Sequence, residues 1–438
     1  MENEERLAST GGRKTALACV RAGVDAARPD RVVAESVRLD GDRLHVADAT
    51  YDLSDVDRIV AVGGGKAADG VATALENVLD DRIDAGAVVT PDPGEGTDIE
   101  RLRGDHPVPS QAGVEGTDRI RELVADADER TLVLAIITGG GSALLPAPAD
   151  GISLDDLQTT TDALLDAGAE IGDLNAVRKH LSTLKGGGLA TLAAPATTVG
   201  LVFSDVVGND LSVIASGPTA PDESTYSDAL DALERYGVDP PAAVRERLER
   251  GAAGDLPETP RPDDPVFDRV TNHILADSFT ALAAARAVAA DRGYDTCILS
   301  SSVRGEAREA ALTHVAVAEE IGTTGNPVEA PAVVLSGGEA TATVRGDGLG
   351  GPNAEFALAA AVELPASATL ACVDTDGRDG SSDFAGALVD GDTVDDVPAA
   401  RQALANSDAF GYLRDRNAVV STGPTGTNVN DIRVLVVE

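Results

Sequence analysis

Apolar residues in this chain fall into two kinds of run. In the first, they follow one another with no polar face. Leu132 to Ile137 is such a run, and shorter ones lie at 58–62, 85–90, 198–203, 332–335 and 369–373. A strand covered on both faces, as in a parallel sheet, has this pattern. In the second kind, apolar residues recur at helical spacing. Leu17, Val20 and Val24 do so within 1–30, and the same period predicts helices over 66–79, 116–127, 153–167, 174–184, 227–236 and 241–250. Ser153 reads as an N-cap with Asp155 and Asp156 in the first turn, and Pro241 as a helix opener. Strands alternating with helices predict βα units and a parallel sheet. Residues 36–53 alternate in twos about Asp40-Gly41-Asp42, which predicts a hairpin able to pack with either half. Residues 91–111 read as a loop.

Gly251 to Pro265 is dense in proline, glycine and acid and marks a linker. It divides the chain into an α/β domain over 1–250, of which 1–50 could pack with the second domain, and another over 266–438. The second half continues with strands at 273–276 and 296–300, helices at 278–291 and 305–321, strands at 332–335 and 341–344, a helix at 353–361, and strands at 370–373 and 432–437.

Five strands end in small, polar or acidic residues: Gly63-Gly-Gly-Lys66, Thr138-Gly-Gly-Gly-Ser142, Ser204-Asp205, Ser336-Gly-Gly-Glu339, and Asp374-Thr-Asp-Gly-Arg378. Open α/β sheets bind ligands outside the carboxyl ends of their strands. The pattern therefore predicts a polar site at one sheet edge.

Charge narrows the field. The chain has 438 residues, 43% of them hydrophobic, and a formal net charge of −39. Such a charge repels nucleic acid and anionic membranes, and its even spread predicts a solvated acidic surface suited to high salt. Lysine is nearly absent. Lys14, Lys66, Lys179 and Lys185 are the only ones, and the last three lie in motif-like stretches. Cys19, Cys297 and Cys372 are far apart and give no disulfide framework or metal pattern, and the five histidines show no ligand spacing. With no apolar span and a charged first segment, a cytoplasmic protein is expected.

Gly63-Gly-Gly-Lys-Ala-Ala68 has two readings. As GxGxxA it is a dinucleotide turn; as GGGK it is a phosphate turn carrying Lys66 at a helix start, where a cation is unfavourable without an anion. Gly139, Gly140 and Gly141 with Ser142 read as an anion-binding turn or as a tight strand–helix connection. Asn175, Arg178 and Lys179 share about one helical turn, as a basic solvated face or a binding face. Asp205 and Asp210 beside a strand end suit Mg²⁺, which takes one or two carboxylates plus phosphate oxygens, or form an Asx turn. Gly337 and Glu339, the loop from Arg345 through Gly350 and Gly351 to Asn353, and Asp376 with Arg378 complete the candidate list. Ser216-Gly-Pro-Thr219 reads as a tight turn.

Six ordered stretches resemble the glycerate 2-kinase (MOFRL) family: 63–67, 138–148, 175–187, 204–222, 336–355 and 375–387. The resemblance spans nearly the whole chain. It implies a Rossmann-like parallel-sheet domain, a second α/β domain with a mixed sheet, and an active site in the cleft between. It implies ATP-dependent phosphorylation of D-glycerate to 2-phosphoglycerate with Mg²⁺. Under that implication Lys66 neutralises the transferred phosphoryl group. Gly64, Gly65, Gly139–Gly141, Ser142, Gly337, Glu339, Gly350, Gly351 and Asn353 meet the nucleotide. Asp205 with Asp210 or Asp376 holds the metal, and Asp205 doubles as candidate base. Asn175, Arg178, Lys179, Arg345 and Arg378 are the substrate side chains. The sequence departs from the family at Pro352, where an arginine is usual, so Arg345 or Arg378 would have to replace an anion contact. A nicotinamide-dependent hydroxypyruvate reductase using His106, and a non-catalytic nucleotide binder, stay open. So does oligomeric state, a homodimer included.

Overall fold

Thr131–Thr138, the longest run without a polar face, is a strand buried at every residue. The computed structural model describes residues 1–438, and the chain divides into two compact units, Val32–Leu275 and Met1–Arg31 with Ala276–Glu438. The division does not fall at the expected linker. Residues 251–265 lie inside the first unit, and the chain passes between units near residues 31 and 276.

The Val32–Leu275 unit holds nine strands: β1 (Val37–Asp40), β2 (Arg43–Val46), β3 (Ala49–Asp52), β4 (Arg58–Gly64), β5 (Ala85–Thr90), β6 (Ile99–Arg103), β7 (Thr131–Thr138), β8 (Thr197–Phe203) and β9 (Val270–Ala276). Six form one sheet in the order β6-β5-β4-β7-β8-β9, and the pairings from β6 through β8 are parallel. Val60, Val62, Val133, Ala135, Ile137 and Val202 join Ile120, Leu123 and Val124 from helix Gln111–Ala125 in one core cluster. At about 25 cal/mol per Å² of apolar area removed from water, such aliphatic packing dominates a fold this poor in aromatics.

Three local expectations change. The hairpin is a three-stranded antiparallel meander, β1-β2-β3, because a second turn follows Val46. The helix after β4 starts at Ala68, leaving Lys66 in the turn. The supposed loop 91–111 contains β6, whose start is fixed by a carboxylate: Glu76 Oε1 accepts the N–H groups of Thr97, Asp98 and Ile99 at 3.0, 2.9 and 2.9 Å. Ser153 caps its helix as expected, in a reciprocal capping box with Asp156.

The other unit has a mixed sheet in the order β10-β11-β15-β12-β13-β14, comprising β10 (Asp295–Glu306), β11 (Ala332–Thr341), β12 (Ala368–Asp374), β13 (Gly386–Asp390), β14 (Val419–Val420) and β15 (Asp431–Val437). β10 and β11 are parallel, and β15 runs antiparallel to both β11 and β12. No separate strand forms at 341–344, since β11 continues through Thr341. Helix Gly11–Ala26 belongs here, with Leu17, Cys19 and Val20 buried.

Candidate active site

The turns after β4, β7 and β8 stand at the carboxyl ends of neighbouring parallel strands. The glycines of the first turn answer to close packing. A Cβ at Gly63 would lie 1.9 Å from the Ile136 carbonyl oxygen, and one at Gly65 2.1 Å from Thr138 Oγ1. The N–H groups that follow are engaged within the protein: Gly65 donates to Val89 O (3.0 Å), Lys66 to Gly139 O (2.8 Å) and Ala67 to Thr138 Oγ1 (3.2 Å). Gly65 is thus corrected from a phosphate cradle to a packing residue beside Gly64. What this turn offers a ligand is the half-buried Lys66 side chain. His106, from the loop after β6, reaches the same place. At Gly140, where φ is 80°, a Cβ would lie 3.1 Å from both Lys66 Cγ and His106 Cδ2.

Gly139 and Gly140 lead into the short helix Gly141–Leu144. Ser142 Oγ lies 2.8 Å from Ser216 Oγ, which donates to Asn175 Oδ1 at 3.0 Å. The Asn175 amide nitrogen is buried without an acceptor. Ala215 and Ser216 both have positive φ, 51° and 62°, ahead of Gly217 at 65°. Two non-glycine residues in the left-handed region are strained and persist only where surrounding contacts hold them. The Ser216 carbonyl accepts the Gly186 N–H at 2.9 Å, tying this chain to the turn after Lys185.

The basic stretch 175–185 splits by environment. Lys179 Nζ pairs with Asp222 Oδ1 at 3.0 Å, with side chains 6% and 1% exposed. Ser224 and Thr259 also donate to Asp222. Burial works to raise the Asp222 carboxyl, yet Lys179 and the Ser224 hydrogen bonds carry it below its ordinary range. Lys179 is therefore corrected from a substrate contact to half of a buried ion pair. Arg178 is half-buried, and burial lowers its pKa; Asp162 is the acid it senses. Lys185, absent from the expected site, is buried, and its ammonium donates to Leu145 O at 3.1 Å. Burial, then the neighbouring Arg178, pushes its pKa down to about 7.

Among the acids, Asp205 is half-buried just past β8. Asp210 is exposed, and its carboxylate accepts the Ser212 N–H at 2.9 Å, the local turn that competed with the metal reading. Asp376 lies in the other unit, where it accepts the Arg378 N–H at 2.8 Å. No group of three or more His, Cys, Asp or Glu side chains gathers at metal-binding distance.

In that other unit Asn353 is buried, donating to Asp431 Oδ1 at 2.6 Å, while its N–H and that of Ala354 bind Asp379 at 2.9 and 2.7 Å. A Cβ at Gly351 would lie 2.3 Å from Asp379 Cγ, and one at Gly350 3.2 Å from the Ser407 carbonyl oxygen. Asn353 and Gly351 are thus corrected to the cap of helix Pro352–Ala361, in which Pro352 takes the favourable first position. Gly337 packs within β11, and its Cβ would meet Ser278 Oγ at 2.1 Å. Glu339, Arg345 and Arg378 are exposed.

A parallel sheet whose strand ends combine a turn lysine, a hydroxyl–amide relay and buried cations defines an α/β protein equipped for a small anionic ligand. The comparisons specify it. Residues 15–249 match the family described as a domain of unknown function (DUF4147), and residues 332–431 match the MOFRL family. The chain is 38% identical to the D-glycerate 2-kinase of Thermotoga maritima over 96% of its length and 97% of the relative's. It is 37% identical to the glycerate 2-kinase of Pyrococcus horikoshii, covering 97% of each. A protein of Agrobacterium vitis with the provisional name hydroxypyruvate reductase is 40% identical over 87% of this chain and 99% of its own. The crystal structure of the Thermotoga maritima glycerate kinase superposes with a TM-score of 0.85 at 37% identity, covering 97% of this chain and 99% of that one. The chain belongs to the glycerate 2-kinase (MOFRL) family.

Proposed function

We propose that the protein transfers a phosphoryl group from ATP to the C2 hydroxyl of D-glycerate, giving 2-phospho-D-glycerate, with Mg²⁺ on the nucleotide phosphates. The observation that carries the reading is Lys66, held in a turn whose backbone donors are engaged, so that its side chain is what projects at the strand ends. The full-length relatives named as glycerate 2-kinases support the same chemistry.

Phosphoryl transfer needs positioning and charge neutralisation more than covalent chemistry. Lys66 supplies positive charge to the transferred group. Gly139, Gly140 and Gly141 admit phosphate oxygens close to the main chain. Arg178 and Asn175 orient the hydroxy acid. The donor set fits Mg²⁺ as an ion that keeps phosphate and water ligands, since the protein gathers no carboxylate cage. Asp205 would hold it there, neutralising charge on the phosphates. Asp205 also serves as acceptor for the hydroxyl proton. Asp376 and the loop at Gly350 are the second unit's proposed contribution.

A reductase reading has one observation of its own, His106 beside Lys66 over Gly140. One assay in molar KCl separates the two. The kinase produces ADP only when D-glycerate is present, and enolase without added mutase detects the product. A signal that needs phosphoglycerate mutase would place the phosphate on C3 instead. NADH oxidation by hydroxypyruvate without ADP release would replace the kinase reading altogether.

A further inference from the structure

The stretch from Asn175 to Lys185 contains two lysines that are both buried and differently partnered. Lys179 has Asp222. Lys185 has one neutral acceptor, Leu145 O, for an ammonium that carries three donors. The charged side chain nearest in effect to Lys185 is another cation, Arg178. This is a chain with 74 acidic residues, so an acid partner was the easy solution. Two buried cations side by side cost stability unless an anion joins them. A third donor waits close by in sequence and fold. The Asn175 amide nitrogen has no acceptor although the residue is 3% exposed, and Arg178 lies one helical turn further on the same face. The strained Ser216 binds Asn175 Oδ1 through its hydroxyl and the Gly186 N–H through its carbonyl, so it links the amide to the Lys185 turn.

We propose that Lys185 and Arg178 together receive the carboxylate of the substrate, a small 2-hydroxy acid, with the Asn175 amide as a neutral donor. Lys185 is then a binding and specificity residue, and Lys179, its neighbour in the motif, is not. The proposal rests on the kinase reading only for the identity of that acid.

A consequence follows for proton balance. The free ammonium sits near pKa 7 because of burial and Arg178. The other charges around it do not compensate. Asp162 acts on Arg178, and Asp222, beside Gly186, is engaged by Lys179, Ser224 and Thr259. An arriving carboxylate favours the charged lysine, so binding above pH 7 takes up a proton.

The experiment is calorimetric titration of D-glycerate into the full chain at pH 8, in two buffers of different ionisation enthalpy, with and without saturating ADP. Uptake of about one proton per glycerate is expected. Lys185→Met should raise KM for D-glycerate about 10²-fold, the loss typical of a hydrogen bond to a charged group, with KM for ATP within about twofold. Its melting temperature should equal or exceed that of the parent, because an uncompensated buried charge has gone. Binding without proton uptake in either condition overturns the proposal even if Lys185→Met fails to fold. So does a glycerate KM within about twofold in a folded Lys185→Met. Proton-linked glycerate binding without glycerate-dependent ADP release would support this site and sink the kinase reading instead. ADP release with no linked proton would do the reverse.

Discussion

The two units bury charge in opposite senses. The Val32–Leu275 unit buries cations, Lys179 and Lys185, and leaves one of them without an acid. The other buries acids and supplies each with donors. Asp379 takes two main-chain N–H groups at a helix start, Glu355 takes Arg308 at 2.8 Å, and Asp431 takes Arg433 and the Asn353 amide. Even there Arg433 keeps two nitrogens without acceptors, and its guanidinium lies 4.7 Å from the centre of the Phe356 ring. The difference teaches how to separate scaffold from site. A buried charge whose partners all come from the protein holds the fold, while one lacking a counter-charge is available to a ligand.

The largest effect should come from breaking the scaffold pair. Lys179→Ala leaves Asp222 buried and unpaired, and should cost about 3–5 kcal/mol in denaturant unfolding. Lys179→Met with Asp222→Leu should recover most of that. A stable Lys179→Ala with a raised glycerate KM would erase the distinction between the two lysines.

Next comes Lys66. Removal of a preorganised charge should lower kcat about 10²–10³-fold for Lys66→Ala, more than it raises KM for ATP, with melting unchanged. Lys66→Arg should rescue poorly, because a planar fork does not replace a compact ammonium in this turn. Lys14→Ala, on the N-terminal helix, is the control. A Lys66→Ala enzyme with more than about a third of parental kcat would remove Lys66 from the mechanism.

The smallest effect belongs to the acid-burying unit. Burial, opposed by the helix N–H groups and reinforced by Asp431, raises Asp379 to about 7. Its folded pKa is thus above its unfolded value of 3.8, so its contribution is complete below about 4 and is lost as pH rises toward 7. Asp379→Asn should flatten the stability profile across that window by on the order of 1 kcal/mol. A parent and variant with parallel profiles would show that Asp379 stays ionised throughout.

Much of this was legible from pattern. The unbroken run at 131–138 forms a strand because both of its faces are covered, and Ser153 caps because a hydroxyl three residues before Asp156 closes a box. β6 was not legible. Ile99 to Arg103 alternates charge with apolar residues like a loop, and its start is fixed by Glu76, distant in sequence. Arg101 shows the same dependence, buried only because Asp69 and Glu76 meet it. At the site, composition marked the lysines as retained but could not rank Lys179 above or below Lys185. That ranking depends on Asp222, which the spacing of residues 175–185 does not contain. The glycines misled for a related reason. Gly65 and Gly351 look like phosphate cradles in one dimension, yet each makes room for a neighbouring part of its own unit.

Helix Gly11–Ala26 is made first and needed last. Its partner strand β15 ends one residue before the final residue, with Ile432 against Gly23, and Glu438 itself lies close to Gly12. During synthesis the intervening unit, 32–275, can complete its own sheet while that helix still waits for most of its packing surface. The two ends of the polypeptide therefore act as a clasp that only a finished chain can fasten. A ribosome that stalls within the final strand would release a molecule with one unit formed and the other open.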